Sequence, residues 1–221
     1  MTLKKVASAK GAKETGRFIS LEGGEGTGKS TQVRRLAKAL EAKRIKVVTT
    51  REPGGSVGAE EIRKLMVEGE PGRWNPITET LLAYAARADH VARTIGPALT
   101  EGRWVFSDRF SDSTYAYQGV GRGVERETIR RIDSAVLDDF APDLTLVLDL
   151  DVKIGLKRAV ARAGTENRFE KFGTAFHEKL RQAFLDIAKR NSDRCRVIDA
   201  SGTEDQVAEL IFAAVAKRFD L

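Results

Sequence analysis

Apolar residues gather in five short runs, each followed by polar or glycine-bearing turn residues and, in most cases, by a stretch with helical spacing. The runs at 18–21, 46–50, 103–107, 144–150 and 195–199 are of strand length, and LTLVLDL at 144–150 is the most apolar. Helical spacing runs through about 28–43, 59–68, 78–100 and 203–219, the second strand being stopped by Pro53-Gly54-Gly55. Apolar strands separated by helices require crossover connections. The predicted class is therefore α/β, a mainly parallel sheet covered on both faces. Ligands of such sheets bind beyond the carboxyl ends of the strands. No internal repeat or low-complexity tract interrupts the pattern.

Composition narrows the class without naming a function. At 221 residues the chain fits one domain, expected over 17–221 after an N-terminal tail, 1–16, that is basic but lacks the apolar segment of a secretory signal. No apolar run approaches the roughly 18 residues of a membrane span. The lone Cys195 has no disulfide partner and lies in a strand-like run, so it reads as a structural thiol, in keeping with a cytoplasmic location. A net charge of +6 raises the question of nucleic acid, but 32 acids interleave with the 38 basic residues and the denser clusters read as helix faces. No nucleic-acid or membrane partner is expected.

Chemistry enters at the end of the first strand. Gly23, Gly24, Glu25, Gly26, Thr27, Gly28, Lys29 and Ser30, followed by Thr31, match G-x-x-x-x-G-K-[ST], between a strand and a helix. Glycines let successive N–H groups curve around phosphate oxygens, Lys29 reaches the outer phosphates, and the Ser30 hydroxyl suits Mg²⁺. This is a P-loop for a nucleoside triphosphate, with Glu25 as an unexpected carboxylate in its middle. The DxxG and NKxD motifs of a GTPase are absent. Asp149 resembles the acid of other ATPases but stands just before a helix capped by Asp151. The third strand instead ends in Asp108-Arg109, an acid suited to holding Mg²⁺ through water and an arginine suited to a second phosphate. Further polar stretches, Arg51-Glu52-Pro53, Tyr84 to His90 and Ser113 to Gly119, fall at the same edge of the sheet; helical spacing there puts Thr114, Tyr117 and Gln118 on one face.

Taken together, EGGEGTGKS at 22–30, TREPGG at 50–55, AAR at 85–87, Asp108-Arg109 and AYQG at 116–119 resemble the bacterial thymidylate kinase family in order and spacing, over essentially 17–220. The resemblance implies a nucleoside monophosphate kinase fold with a five-stranded parallel sheet, a homodimer, and phosphoryl transfer from ATP to dTMP with Mg²⁺. It implies that Arg51, Glu52, Pro53, Arg63 and Arg109 surround the acceptor's phosphate side, that Arg87 donates to thymine O4, that Thr114 and Gln118 reach the base, and that Tyr117 crowds the sugar's 2′ position. Glu25 would lie toward the acceptor. A lid is implied at about 155–172, with Arg158, Arg162 and Arg168 as candidate mobile cations, because the loop carries Gly26 and Thr27 where some members carry an arginine. One departure stands out: Ala83 occupies the position of the family's base-stacking phenylalanine, leaving Tyr84 as either a stacking or a core residue.

The chemistry such a site needs is in-line transfer to an acceptor that is already an anion, with no strong base and no phosphoenzyme. His90 and His177 accordingly read as surface or packing residues. Two rival readings remain. A deoxynucleoside kinase would need a carboxylate base for a neutral hydroxyl, and an ATP-dependent nucleic-acid-binding protein would show steeply salt-dependent binding.

Overall fold

In the computed structural model, residues 16–161 and 168–221 are described. Five strands, β1 (Phe18–Glu22), β2 (Val47–Arg51), β3 (Trp104–Asp108), β4 (Leu144–Asp149) and β5 (Cys195–Asp199), form one all-parallel sheet in the order β2-β3-β1-β4-β5. Helices α1 (Lys29–Ala42), α2 (Val57–Val67), α3 (Pro76–His90), α4 (Gly96–Thr100), α5 (Ser111–Thr114), α6 (Arg126–Leu137), α7 (Val152–Val160), α8 (Thr174–Arg190) and α9 (Glu204–Phe219) supply the crossovers.

Alternation along the strands sorts the core onto two faces. Ile19, Leu21, Phe106, Leu144, Leu146 and Leu148 point to the side covered by α1 and α9, where Leu36, Leu40, Val207 and Ile211 close the layer. Phe18, Val105 and Val147 point the other way, toward α8, α4 and the helical segments around the site. Buried on both faces, the strands carry few polar side chains, and Ser20 and Thr145 satisfy one another across β1 and β4 at 2.9 Å.

The first three strands run one residue beyond the apolar runs. Parallel pairing continues through Leu21 and Asp108 and through Arg51 and Asp108, so Glu22, Arg51 and Asp108 end their strands as part of the ladder. β4 stops at Asp149, one residue short of expectation, and Asp151 caps α7 by accepting from the N–H groups of Lys153 (2.9 Å) and Ile154 (3.2 Å). The single long helix expected over 78–100 is divided: α3 passes through a π-helical turn, Val91–Ile95, into α4. Pro97 has no N–H to offer the preceding turn, and the wider turn lies just before it. A second π-helical segment, Tyr115–Gly121, carries the AYQG residues. α6 and α8 hold no motif and were not expected individually; α8 packs Leu180, Ala183 and Phe184 against Val147 and Tyr117. Cys195 is buried, and burial pushes its thiol up to about 12, which suits a packing role.

Candidate active site

The carboxyl ends of β1, β2 and β3 open into one cavity of about 870 Å³ that reaches from the P-loop to the middle of α3 and the π-helical segment. Its floor is the P-loop. Gly28 has φ +92°, so α1 begins at Lys29 with no side chain capping its first N–H groups. Those orphan donors and the positive helix end are free to meet an anion. Gly26 has φ +68°, and a Cβ there would lie 1.9 Å from the Gly155 carbonyl; the loop thus rests directly on the first turns of α7. Thr27 ties the loop to itself through the Gly24 carbonyl at 3.2 Å. Lys29 Nζ donates to the carbonyls of Gly24 (2.7 Å) and Gly23 (3.2 Å). Burial, reinforced by Arg109, lowers its pKa to about 8.

Glu25 is engaged by side chains of the cavity wall. Arg109 Nη2 donates to it at 3.0 Å and Tyr117 donates its hydroxyl at 2.5 Å, while the same nitrogen reaches the Tyr117 oxygen at 2.9 Å. Burial would raise the carboxyl, but Arg109 and Lys29 outweigh it and hold Glu25 at about 2. Arg109 adopts φ +74°, outside the ordinary range for a side-chain-bearing residue, and its backbone is held by bonds to Leu21 and Ser107. Its Nη1 donates to the Gly23 carbonyl and to Ser113. Behind it, Glu22 accepts from the Phe110 N–H and the Ser113 hydroxyl; burial, with Asp112 nearby, pushes its carboxyl well above the usual range. Ser30 donates its hydroxyl to Asp108 across the mouth of the loop. One hydroxyl and one carboxylate, both hard oxygens, fit a Mg²⁺ that keeps waters and is shared with nucleotide phosphates. No cluster of three or more metal-ligating side chains occurs among the described residues.

The far end of the cavity is built around Arg87, which is 3% exposed. Its Nε donates to Glu52 at 2.7 Å and its Nη2 to the Phe110 carbonyl and the Thr114 hydroxyl, while its plane lies over the rings of Tyr84 and Phe110. Nη1 is buried and meets no acceptor among the described residues. Gln118 lines the same end and gives its Nε2 to Glu79 at 2.8 Å, with no donor to its Oε1 among the described residues. Along the near wall, Arg63 donates to the Pro53 carbonyl at 2.7 Å and Arg51 to Glu60 at 3.0 Å.

The structure brings Lys29, Ser30, Arg51, Glu52, Pro53, Arg63, Arg87, Asp108, Arg109, Thr114, Tyr117, Gln118 and Glu25 to one cavity. Glu52, though, is buried beneath Arg87 and also meets His90 Nδ1 at 3.0 Å, so it orients the arginine. His90 itself is fully buried and bonded to Thr50 at 2.7 Å, a support of the site and not a surface residue. His177 is likewise buried, and burial lowers its pKa.

Of the three candidate lid cations, the structure places two, and one of them differs from expectation. Arg162 lies outside the described residues, and Arg158 is exposed on α7. Arg168 is fully buried: it pairs with Glu79 and donates to the carbonyls of Met66, Glu70 and Pro71, all at 2.9 Å. A guanidinium so enclosed is an anchor, not a mobile cation. Tyr84 is settled too. It is absent from the cavity wall, 1% exposed, and its hydroxyl meets Asp133 of α6 at 2.7 Å, which makes it a core residue. Ala83 lines the cavity, and the space beside it is shared by Phe169, packed with Met66 and Val67. Phe169, Glu79 and His90 had no local signal in the sequence, since each acts through a residue far away along the chain.

A family model described as Thymidylate kinase matches residues 21–211. The chain belongs to the thymidylate kinase family. Among curated thymidylate kinases, that of Caulobacter vibrioides is 53% identical over 206 residues, covering 93% of this chain and 99% of the relative. That of Jannaschia sp. is 51% identical over 201 residues, covering 91% and 96%. A solved thymidylate kinase structure, from Ehrlichia chaffeensis, superposes with a TM-score of 0.73 at 32% identity over 91% of this chain and 99% of its own. Members of this family are nucleoside monophosphate kinases, and the five-stranded sheet with its P-loop is the fold expected of one. No helix among the described residues is long and apolar enough to cross a membrane.

Proposed function

We propose that the chain transfers the terminal phosphoryl group of ATP to dTMP, giving ADP and dTDP on the way to dTTP. Beyond family membership, the observation that carries this reading is the pair of polar side chains, Arg87 and Gln118, that line the end of the cavity. Arg87 Nη1 is a donor that meets no acceptor among the described residues, and Gln118, its Nε2 given to Glu79, has its Oε1 left to accept. Thymine offers a carbonyl at position 4 and an N–H at position 3, so it complements both. Cytosine offers an amino group and a lone pair, so it meets like with like at both.

In this reading ATP phosphates lie on Gly23, Gly24, Gly26, Thr27, Gly28, Lys29, Ser30 and Thr31, and the dTMP phosphate lies toward Arg51, Arg63 and Arg109. Arginine grips phosphate bidentately, and Glu25 restrains Arg109 between the two nucleotides. Mg²⁺, held by Ser30 and through water by Asp108, supplies neutralisation of phosphate charge when bound. Tyr117 stands where a ribose 2′-hydroxyl would be crowded. A carboxylate held at about 2 is a weak base, so Glu25 suits an acceptor that is already ionised better than a neutral hydroxyl. That disfavours a deoxynucleoside kinase, and the segment at about 155–172 serves as the lid of a single domain. A homodimer in the cytoplasm, without nucleic acid, completes the reading.

The deciding experiment is a coupled ADP-release assay with dTMP, dUMP, dCMP, AMP and thymidine side by side. Turnover is expected first with dTMP. Turnover of thymidine without dTMP would replace this reading by the deoxynucleoside kinase.

A further inference from the structure

The geometry points to Glu79 as the residue that decides which end of the Gln118 amide faces the base, and so as a specificity-determining residue that does not touch the nucleotide. The inference rests on the dTMP reading above.

Glu79 lies on α3, fully buried and outside the cavity wall. One carboxylate oxygen accepts from Gln118 Nε2 at 2.8 Å, and the other is ion-paired with Arg168. Arg168 is itself fully buried, and among the described residues its other hydrogen bonds all go to backbone carbonyls, so Glu79 is the anion it faces. A carboxylate engaged with a guanidinium has lone pairs and no proton to give. The primary amide of Gln118 can face it only with its NH₂ group. Turning the amide over would set carbonyl oxygen against carboxylate oxygen in a buried place, an arrangement with no donor between two acceptors.

Gln118 Oε1 is therefore committed to the cavity as an acceptor. That orientation selects a ring nitrogen carrying hydrogen, as in thymine, against one carrying a lone pair, as in cytosine. A neutral residue at position 79 would release the choice, because glutamine can offer either a donor or an acceptor to its neighbour. Arg168 extends the effect. It follows the segment at 162–167, and its bonds to Met66, Glu70 and Pro71 tie the turn after α2 to the same carboxylate. Glu79 thus joins α3, the π-helical Gln118 and that turn at one point.

The test compares kcat/KM for dTMP and dCMP in wild type, Glu79→Gln, Glu79→Gln with Arg168→Gln, Gln118→Met, and Glu79→Gln with Gln118→Met. The Glu79/Arg168 double variant removes both buried charges together, so it decides the matter if Glu79→Gln alone fails to fold. The expected result is a fall of about ten- to a hundredfold in the dTMP-to-dCMP ratio for Glu79→Gln and for that double variant. The loss should appear mainly in the KM of the monophosphate, with the KM of ATP within about twofold of wild type. In the Gln118→Met background, Glu79→Gln should leave the ratio where Gln118→Met alone puts it. A folded variant that keeps the wild-type ratio, or loses dTMP and dCMP turnover equally, overturns the role given to Glu79 and leaves the dTMP reading standing. A wild-type enzyme with no preference for dTMP over dCMP overturns both.

Discussion

Changing Glu25 to glutamine removes a charge from between Arg109 and Lys29 while nearly keeping the shape that Tyr117 and Arg109 contact. Its size can be worked from the structure. Burial pulls the carboxyl upward, but the two cations prevail and hold it at about 2 against an ordinary 4.5. At about 1.4 kcal/mol per pH unit of displacement, this corresponds to about 3 kcal/mol in favour of the folded, ionised form at neutral pH. Solvent trims little of it, since the side chain is 15% exposed. The sign follows from a folded pKa below the unfolded one. The contribution is present above about pH 4.5 and is lost as pH falls toward about 2. Urea unfolding of wild type and Glu25→Gln should therefore show a stability gap of about 3 kcal/mol near neutral pH that narrows to about 2 kcal/mol near pH 3.5. In the phosphoryl-transfer assay the same variant should lower kcat and raise the KM of dTMP more than that of ATP. A gap that stays level across the pH range would refute the electrostatic reasoning. A variant that lost ATP binding before dTMP binding would refute the placement of Glu25 toward the acceptor.

Arg87→Lys keeps a cation beside Glu52 but gives up the fork that reaches Phe110, Thr114 and the base; kcat/KM for dTMP should fall about ten- to a hundredfold with ATP KM little changed, as measured by ADP release. Lys29, lowered to about 8 by burial and by Arg109, must be protonated to meet phosphate. Titration calorimetry should then show ATP affinity falling above about pH 8, toward tenfold per unit, while folding stability rises between about 8 and 10.5 as the buried charge is relieved. A flat profile over that window would contradict it. Gly26→Ala should cost about 2–4 kcal/mol in denaturant unfolding, since its Cβ has neither room nor a favourable φ.

Much of the fold was legible because strands buried on both faces leave unbroken apolar runs, as at 144–150, and because the P-loop signal is local. Strand ends were less legible: Glu22, Arg51 and Asp108 look like turn residues, yet parallel pairing carries the ladder through them. The site residues Arg87, Thr114 and Gln118 were named through the family resemblance, and spacing alone placed only the last two together. What could not be read were polar pairings between distant elements. Glu79 with Arg168 spans 89 residues, and His90 with Glu52 spans 38. Neither has a periodic signature, so Arg168 looked like a lid cation and His90 like a surface or packing residue. Tyr84 was undecided for the same reason, its partner Asp133 lying 49 residues away.

The contact between Gly26 and Gly155 has a bearing on how such an enzyme can change over time. The family resemblance implies that an arginine serving the phosphates can stand in the loop or in the lid. At position 26 the loop arrangement is not reachable by a single substitution here, because any side chain would collide with the α7 backbone at Gly155. A lineage with this contact would have to lift α7 off the loop before it could relocate the charge. Two hydrogen atoms in place of side chains thus close position 26 to a new cation while this contact stands.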